Sequence, residues 1–136
     1  MKKYLLTLLL VFVSSWGFAQ TQKYTATNVA FKEYLYEYGV WGDWSEWERT
    51  SVPIYADWDR GVVYVESDEP MTFVIYGAPD NNQVKDEDGG MSFYYYANAV
   101  EDEETCTLRW RFYNDVIQLY LQYDDFYVVY NLVEAD

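Results

Sequence analysis

No histidine occurs anywhere in the chain, and cysteine occurs once, at Cys106. Without an imidazole there is no Ser-His-Asp or Cys-His nucleophilic centre and no histidine-containing zinc site, because each needs that ring as base or ligand. A single thiol also excludes a thiolate zinc site and an internal disulfide. No glycine-rich loop of the kind that cradles nucleotide phosphates is present. Cations are scarce too: 9 Lys and Arg stand against 23 Asp and Glu, a formal net charge of −14. Binding to nucleic acid or an anionic membrane needs a basic footprint from which counterions are released. Neither is therefore expected as a partner, and the acidic balance suits solubility or a cationic partner. After the first residues, no apolar run approaches the roughly 20 residues of a transmembrane helix.

The start of the chain reads as an export signal. Lys2 and Lys3 form a basic start, Leu5 to Val13 an apolar run, and Gly17-Phe18-Ala19 places small residues where a signal peptidase cuts. Cleavage after Ala19 leaves a single domain over 20–136, periplasmic or extracellular, and more acidic still once Lys2 and Lys3 are gone. With no disulfide, such a domain must rest on its core. Aromatic residues, 21% of the chain, can supply one because each large ring buries considerable area.

The clearest pattern lies between Cys106 and Leu132. Cys106, Leu108, Trp110 and Phe112 alternate with Thr107, Arg109 and Arg111, which is strand periodicity. Asn114-Asp115 makes a two-residue turn of a kind compatible with positive φ. Such a turn pairs Tyr113 with Val116, Phe112 with Ile117, Trp110 with Leu119 and Leu108 with Leu121. Asp124-Asp125 makes a second turn, pairing Tyr123 with Phe126, Leu121 with Val128, Leu119 with Tyr130 and Ile117 with Leu132. All the apolar residues fall on one face, and a one-residue slip would have turned them into water. Cys106 lies on that face as a buried, inert thiol.

Upstream, strands are expected over Tyr24 to about Tyr38, Val52 to Trp58, Val62 to Glu66, Met71 to Tyr76 and Met91 to Ala97. A short helix over Ala30 to Tyr36 competes with the first. Asp59-Arg60-Gly61 is a hairpin turn with glycine where φ is positive, and Ala78 to Gly90 is a long polar loop. The fold class is all-β: an antiparallel meander of about eight strands closed into an up-and-down, lipocalin-like barrel, with a two-sheet β-sandwich as the alternative. Closure removes exposed edges. Bulky inward residues at Trp110, Phe112, Phe126 and Tyr130 predict an interior that is mostly filled.

Three groups of residues could carry function. Glu46, Glu48, Asp57 and Glu66 could supply paired carboxylates for glycoside hydrolysis, but solvated strand faces and turns are the expected place for them, and no catalytic residue is assigned. Asp80-Asn81-Asn82 and Asp86-Glu87-Asp88-Gly89-Gly90 have the oxygen ligands of a calcium loop. They lack its spacing: Lys85 stands where glycine is required counting from Asp80, and Ala97 where glutamate is required counting from Asp86. No metal or cofactor is assigned. Trp41, Trp44 and Trp47, with Tyr34, Tyr36 and Tyr38 just before, are a concentrated aromatic cluster, and Trp41, Trp44, Trp47, Tyr36 and Tyr38 are its candidate ligand-binding residues. Their flat faces could stack on sugar rings, while the expected structural role is a plug at one end of the barrel.

Two resemblances accompany these readings. Trp44 to Glu48, Val62 to Ser67, Gln118 to Asp125 and Tyr130-Asn131-Leu132 resemble small secreted single-domain β proteins of the Bacteroidota, a resemblance that implies export and fold but transfers no site. Gly39-Val40-Trp41 is similar to the Gly-x-Trp signature of lipocalins, although no arginine follows the last strand to pack on that tryptophan. The function expected is an exported, non-enzymatic barrel that binds an unidentified small molecule, glycan or protein. A lipocalin-like carrier and a carbohydrate-binding module using surface tryptophans are the alternatives.

Overall fold

The computed structural model describes residues 21–135; the expected leader and its cleavage point lie outside the described residues. Ten strands follow in order: β1 (Thr21–Leu35), β2 (Val40–Trp41), β3 (Glu48–Asp57), β4 (Val62–Val65), β5 (Met71–Gly77), β6 (Gln83–Lys85), β7 (Met91–Ala99), β8 (Glu104–Tyr113), β9 (Val116–Gln122) and β10 (Phe126–Glu134). Eight of them, β1, β3, β4, β5, β7, β8, β9 and β10, pair in that order, and β10 closes antiparallel onto β1. The result is a closed antiparallel barrel, and the sandwich alternative is set aside by the β10–β1 seam. The short β2 and β6 are additions, paired to β1 and β7.

The C-terminal meander has the register its alternation dictates. Phe112 faces Ile117, Trp110 faces Leu119 and Leu108 faces Leu121; Leu121 faces Val128, Leu119 faces Tyr130 and Ile117 faces Leu132. Asn114 takes a φ of 52° at the first hairpin, as its short polar side chain allows. Asp124-Asp125 turns without positive φ, closed by the Tyr123 N–H donating to the Phe126 carbonyl at 2.8 Å.

Several boundaries differ from expectation. β1 is a strand throughout, with no helix over Ala30 to Tyr36, because β10 pairs with it as far as Glu33. It stops at Leu35, where the Tyr38 and Gly39 N–H groups turn back onto the Leu35 carbonyl and Gly39 adopts a φ of 66°. Trp58 is not the end of a strand but part of the β3–β4 turn, which Gly61 completes with a φ of 67°. The polar segment from Ala78 to Gly90 is not structureless, since it contains β6.

Inward residues fill the barrel. Ile54, Phe73, Leu108, Leu119 and Leu121 are fully buried, and Trp110 nearly so. Small residues sit among them at Ala26, Ala56 and Ala97, and this mixture of sizes lets large rings cross a narrow interior. Phe112, expected inside, has the inward parity but stands at the rim, 38% exposed. Cys106 is buried, and burial pushes its thiol up to about 12, so it stays protonated and unreactive at neutral pH. Among the described residues no helix is long and apolar enough to cross a membrane.

Candidate functional site

The outward face of β7, β8, β9, β10 and β1 carries an aromatic and cationic stripe. Strand alternation puts Tyr94, Arg109, Tyr120, Tyr127, Lys32 and Tyr34 on the outside, the opposite parity to the core. Tyr94 pairs with Arg109 and Arg109 with Tyr120, while Tyr127 pairs with Lys32. The tryptophan-rich segment after β1 folds back over this wall. Its backbone follows β1: the Gly42 N–H donates to the Glu33 carbonyl and the Ser45 N–H to the Phe31 carbonyl, both at 2.8 Å, and the Ser45 hydroxyl accepts from the Phe31 N–H at 3.0 Å. Glycine at 42 permits this approach, since an added Cβ would stand 3.3 Å from the Glu33 oxygen.

The rings are fixed by edges. Trp41 meets Tyr34 at 5.6 Å and Tyr127 at 6.0 Å between ring centres; Trp44 meets Tyr127 at 5.2 Å and Tyr120 at 6.4 Å. All four are edge-to-face contacts, the arrangement that ring quadrupoles favour. Lys32 lies among them, its Nζ 4.8 Å from the Trp44 ring centre, 5.3 Å from Tyr127 and 5.6 Å from Trp41. Ala30 and Val129, paired on this outer wall, are buried beside Tyr120 and its neighbours. The indoles still face solvent: Trp41 is 36% exposed, Trp44 39% and Trp47 48%.

These positions decide the structural role expected for the tryptophans. Trp41 and Trp44 do not plug the barrel; they lie on its outer wall, because their partners Tyr127, Tyr120 and Lys32 point outward. Tyr36 and Tyr38 are still more open, and the Tyr36 hydroxyl donates to an Asp125 carboxylate oxygen at 3.3 Å. Trp47 is exposed beyond the edge-packed group. The structure therefore gathers Trp41, Trp44 and Tyr34 of the aromatic cluster with three residues that sequence spacing did not single out: Lys32, Tyr120 and Tyr127. The outward parity of Tyr120 and Tyr127 was readable in the alternation of the meander, but that of Lys32 and Tyr34, on a strand with no cleanly apolar parity, was not, and neither was the fold-back of the tryptophan segment onto β10 and β9.

The wall continues into a clasp. The Asp86 carboxylate accepts from Ser92 Oγ at 2.9 Å, from Arg109 at 3.3 Å and from Arg111 Nε at 3.1 Å, and Arg111 also pairs with Asp88. Arg111 reaches Gln118 at 3.2 Å, and Gln118 donates to Asn131 at 2.9 Å. Ser92 is fully buried beneath this network. The acidic motif that resembled a calcium loop thus holds two guanidinium groups, and the long polar segment is fastened to the barrel by it. The Gly90 N–H and then Arg111 hold the Asp88 carboxyl below its usual range. Arg109 stacks at 4.8 Å on Tyr120, joining clasp to aromatic stripe.

The four candidate carboxylates do not converge. Glu48 begins β3 and Asp57 ends it, at opposite ends of the barrel, and Asp57 accepts the Arg60 N–H in its own turn at 3.2 Å. Glu46 and Glu66 are exposed. Among the described residues no group of three or more His, Cys, Asp or Glu is placed to hold a metal ion. No family model, no curated protein and no solved structure matches the chain.

Proposed function

We propose that the protein is an exported, non-enzymatic β-barrel that binds a glycan on its outer wall through Trp41 and Trp44. The observation that carries this reading is that both indoles are rigidly seated by edge contacts yet keep more than a third of their surface open. A sugar ring offers an apolar face of C–H groups, and a flat, preorganised aromatic surface binds it with little ordering cost. Lys32 between the rings supplies a donor for hydroxyl oxygens at the edge of the platform. Tyr36, 5.1 Å from Tyr34 between ring centres, extends the aromatic surface, and the exposed Trp47 and Tyr38 offer further rings to a longer chain. A carrier with its ligand along the barrel axis is less well supported, since Ile54, Phe73, Leu108, Leu119 and Leu121 already occupy that volume.

Calorimetric titration with a panel of neutral and acidic oligosaccharides tests this. Binding of at least one, weakened at least tenfold in Trp44→Ala and Trp41→Ala with the fold intact, is the expected result. Binding that both variants leave unchanged, or a panel with no binder, would overturn it.

A further inference from the structure

One end of the barrel interior is chemically unlike the rest. Trp110 is 1% exposed and its indole Nε1 has no acceptor among the described residues. A buried donor without a partner forfeits the hydrogen bond it had in water, and native interiors rarely tolerate that without a reason. Two further donors stand beside it. Tyr24, whose ring centre is 5.6 Å from Trp110, and Trp58, at 5.7 Å, both donate to the same acceptor, Gln22 Oε1, at 2.7 and 3.3 Å. Two donors thus share one acceptor, and the third, Trp110 Nε1, has none among the described residues.

The walls around them are apolar and incompletely covered. Trp58, Tyr95, Phe93, Ile75 and Ile117 pack on the core but are only half-buried, whereas the middle of the barrel is sealed. Trp58 covers Trp110 from the β3–β4 turn, touching Tyr95 at 5.5 Å, and its polar tether among the described residues is the long bond to Gln22. Such a ring can swing aside without breaking strand pairing.

We propose that this end of the barrel is a second binding site, distinct from the outer wall, for a small uncharged apolar molecule bearing one acceptor oxygen, such as a ketone or lactone. The oxygen takes the Trp110 Nε1–H, and the body lies under Trp58 against Tyr95 and Phe93. A carboxylate is disfavoured here. Burial and then the nearby Glu134 carboxylate raise the Tyr24 hydroxyl above its ordinary value, so a further anion would meet like charge.

The test uses the exported chain labelled with 15N at tryptophan, titrated with cyclohexanone and, separately, with methylenecyclohexane, which has nearly the same shape and no acceptor. The Trp110 indole resonance, assigned by its loss in Trp110→Phe, should move saturably with the ketone, and the ketone should bind at least tenfold tighter than the hydrocarbon. Trp110→Phe should weaken the ketone by about tenfold, one hydrogen bond's worth. Trp44→Ala should leave ketone binding as it is, which separates this site from the glycan platform. Equal affinity for the two probes, or no movement of the Trp110 signal, overturns the proposal. So does a water cross-peak to Nε1–H that cyclohexanone never displaces, which would show a buried water only. The comparison of probes on the unmodified chain stands even if Trp110→Phe fails to fold.

Discussion

Lys32 Nζ stands 4.8 Å from the centre of the Trp44 ring, and no carboxylate among the described residues forms an ion pair with it. In a chain this acidic, a cation held by π faces alone marks how closely the tryptophan segment lies on the wall. Lys32→Ala should cost about 0.5–1 kcal/mol, the size of a partly exposed cation–π contact. Chemical denaturation measures the loss, and the Trp44 fluorescence should change with it; an unaltered emission spectrum would mean that the ammonium does not sit over the ring.

The clasp on the wall beside it predicts a larger effect. Asp86→Ala would leave two mostly buried guanidinium groups without their shared acceptor, and a cost of about 2–4 kcal/mol is expected. Hydrogen exchange should quicken across β6 and the turn after it, while β9 and β10 keep their protection. Uniform loss of protection would show instead that the segment is integral to the barrel.

Acid should loosen this segment and, separately, the turn after β7 in which Glu101 holds Thr72. The folded Asp88 carboxyl lies below its ordinary value of 3.8, chiefly through the Gly90 N–H, and Glu101 lies below 4.5, chiefly through the Thr72 N–H. Because both are depressed in the folded state, their contributions are complete above those ordinary values. They disappear as pH falls through the lower folded ones. Melting temperature should therefore decline on acidification below about pH 4.5, and Glu101→Gln should flatten part of that slope. An identical slope in the variant would remove Glu101 from the account.

Calcium should do nothing. Asp86 and Asp88, the best-placed oxygens of the acidic motif, are engaged by Arg109 and Arg111, so millimolar calcium is expected to leave the melting curve where it was. A rise of several degrees would show that a cation can displace both arginines.

Leu119 is the core position whose loss should be felt most simply. It is fully buried between Trp110 and Tyr130 on neighbouring strands, and Leu119→Ala should cost about 2–5 kcal/mol. A value under 1 kcal/mol would mean that the core collapses around the missing atoms.

The meander was legible because two independent local signals agreed on it: the alternation of Leu108, Trp110 and Leu119, and the short turns at Asn114 and Asp124. Barrel closure could be argued from strand number and from the need to hide edges. The rest depended on contacts distant in sequence. Nothing local says that Trp44 will lie on Tyr127, or that Asp86 will find Arg109 and Arg111. The same holds for Trp58, whose parity fits the end of a strand and whose ring instead caps the buried Trp110. Tryptophan spacing drew attention to Trp41 and Trp44, yet gave no indication of which surface they would join.

The seam between β1 and β10 joins residues from opposite ends of the domain, with Phe31 beside Val128 and Tyr24 beside Glu134. Each hairpin of the meander can zip from its own turn, but this last pairing must wait for nearly the whole chain to be brought round, a slow step because loop entropy is spent before any contact repays it. Until it happens the nascent sheet has two unsatisfied margins. Refolding yield should therefore fall steeply with protein concentration, as margins of separate molecules find each other before each ring shuts.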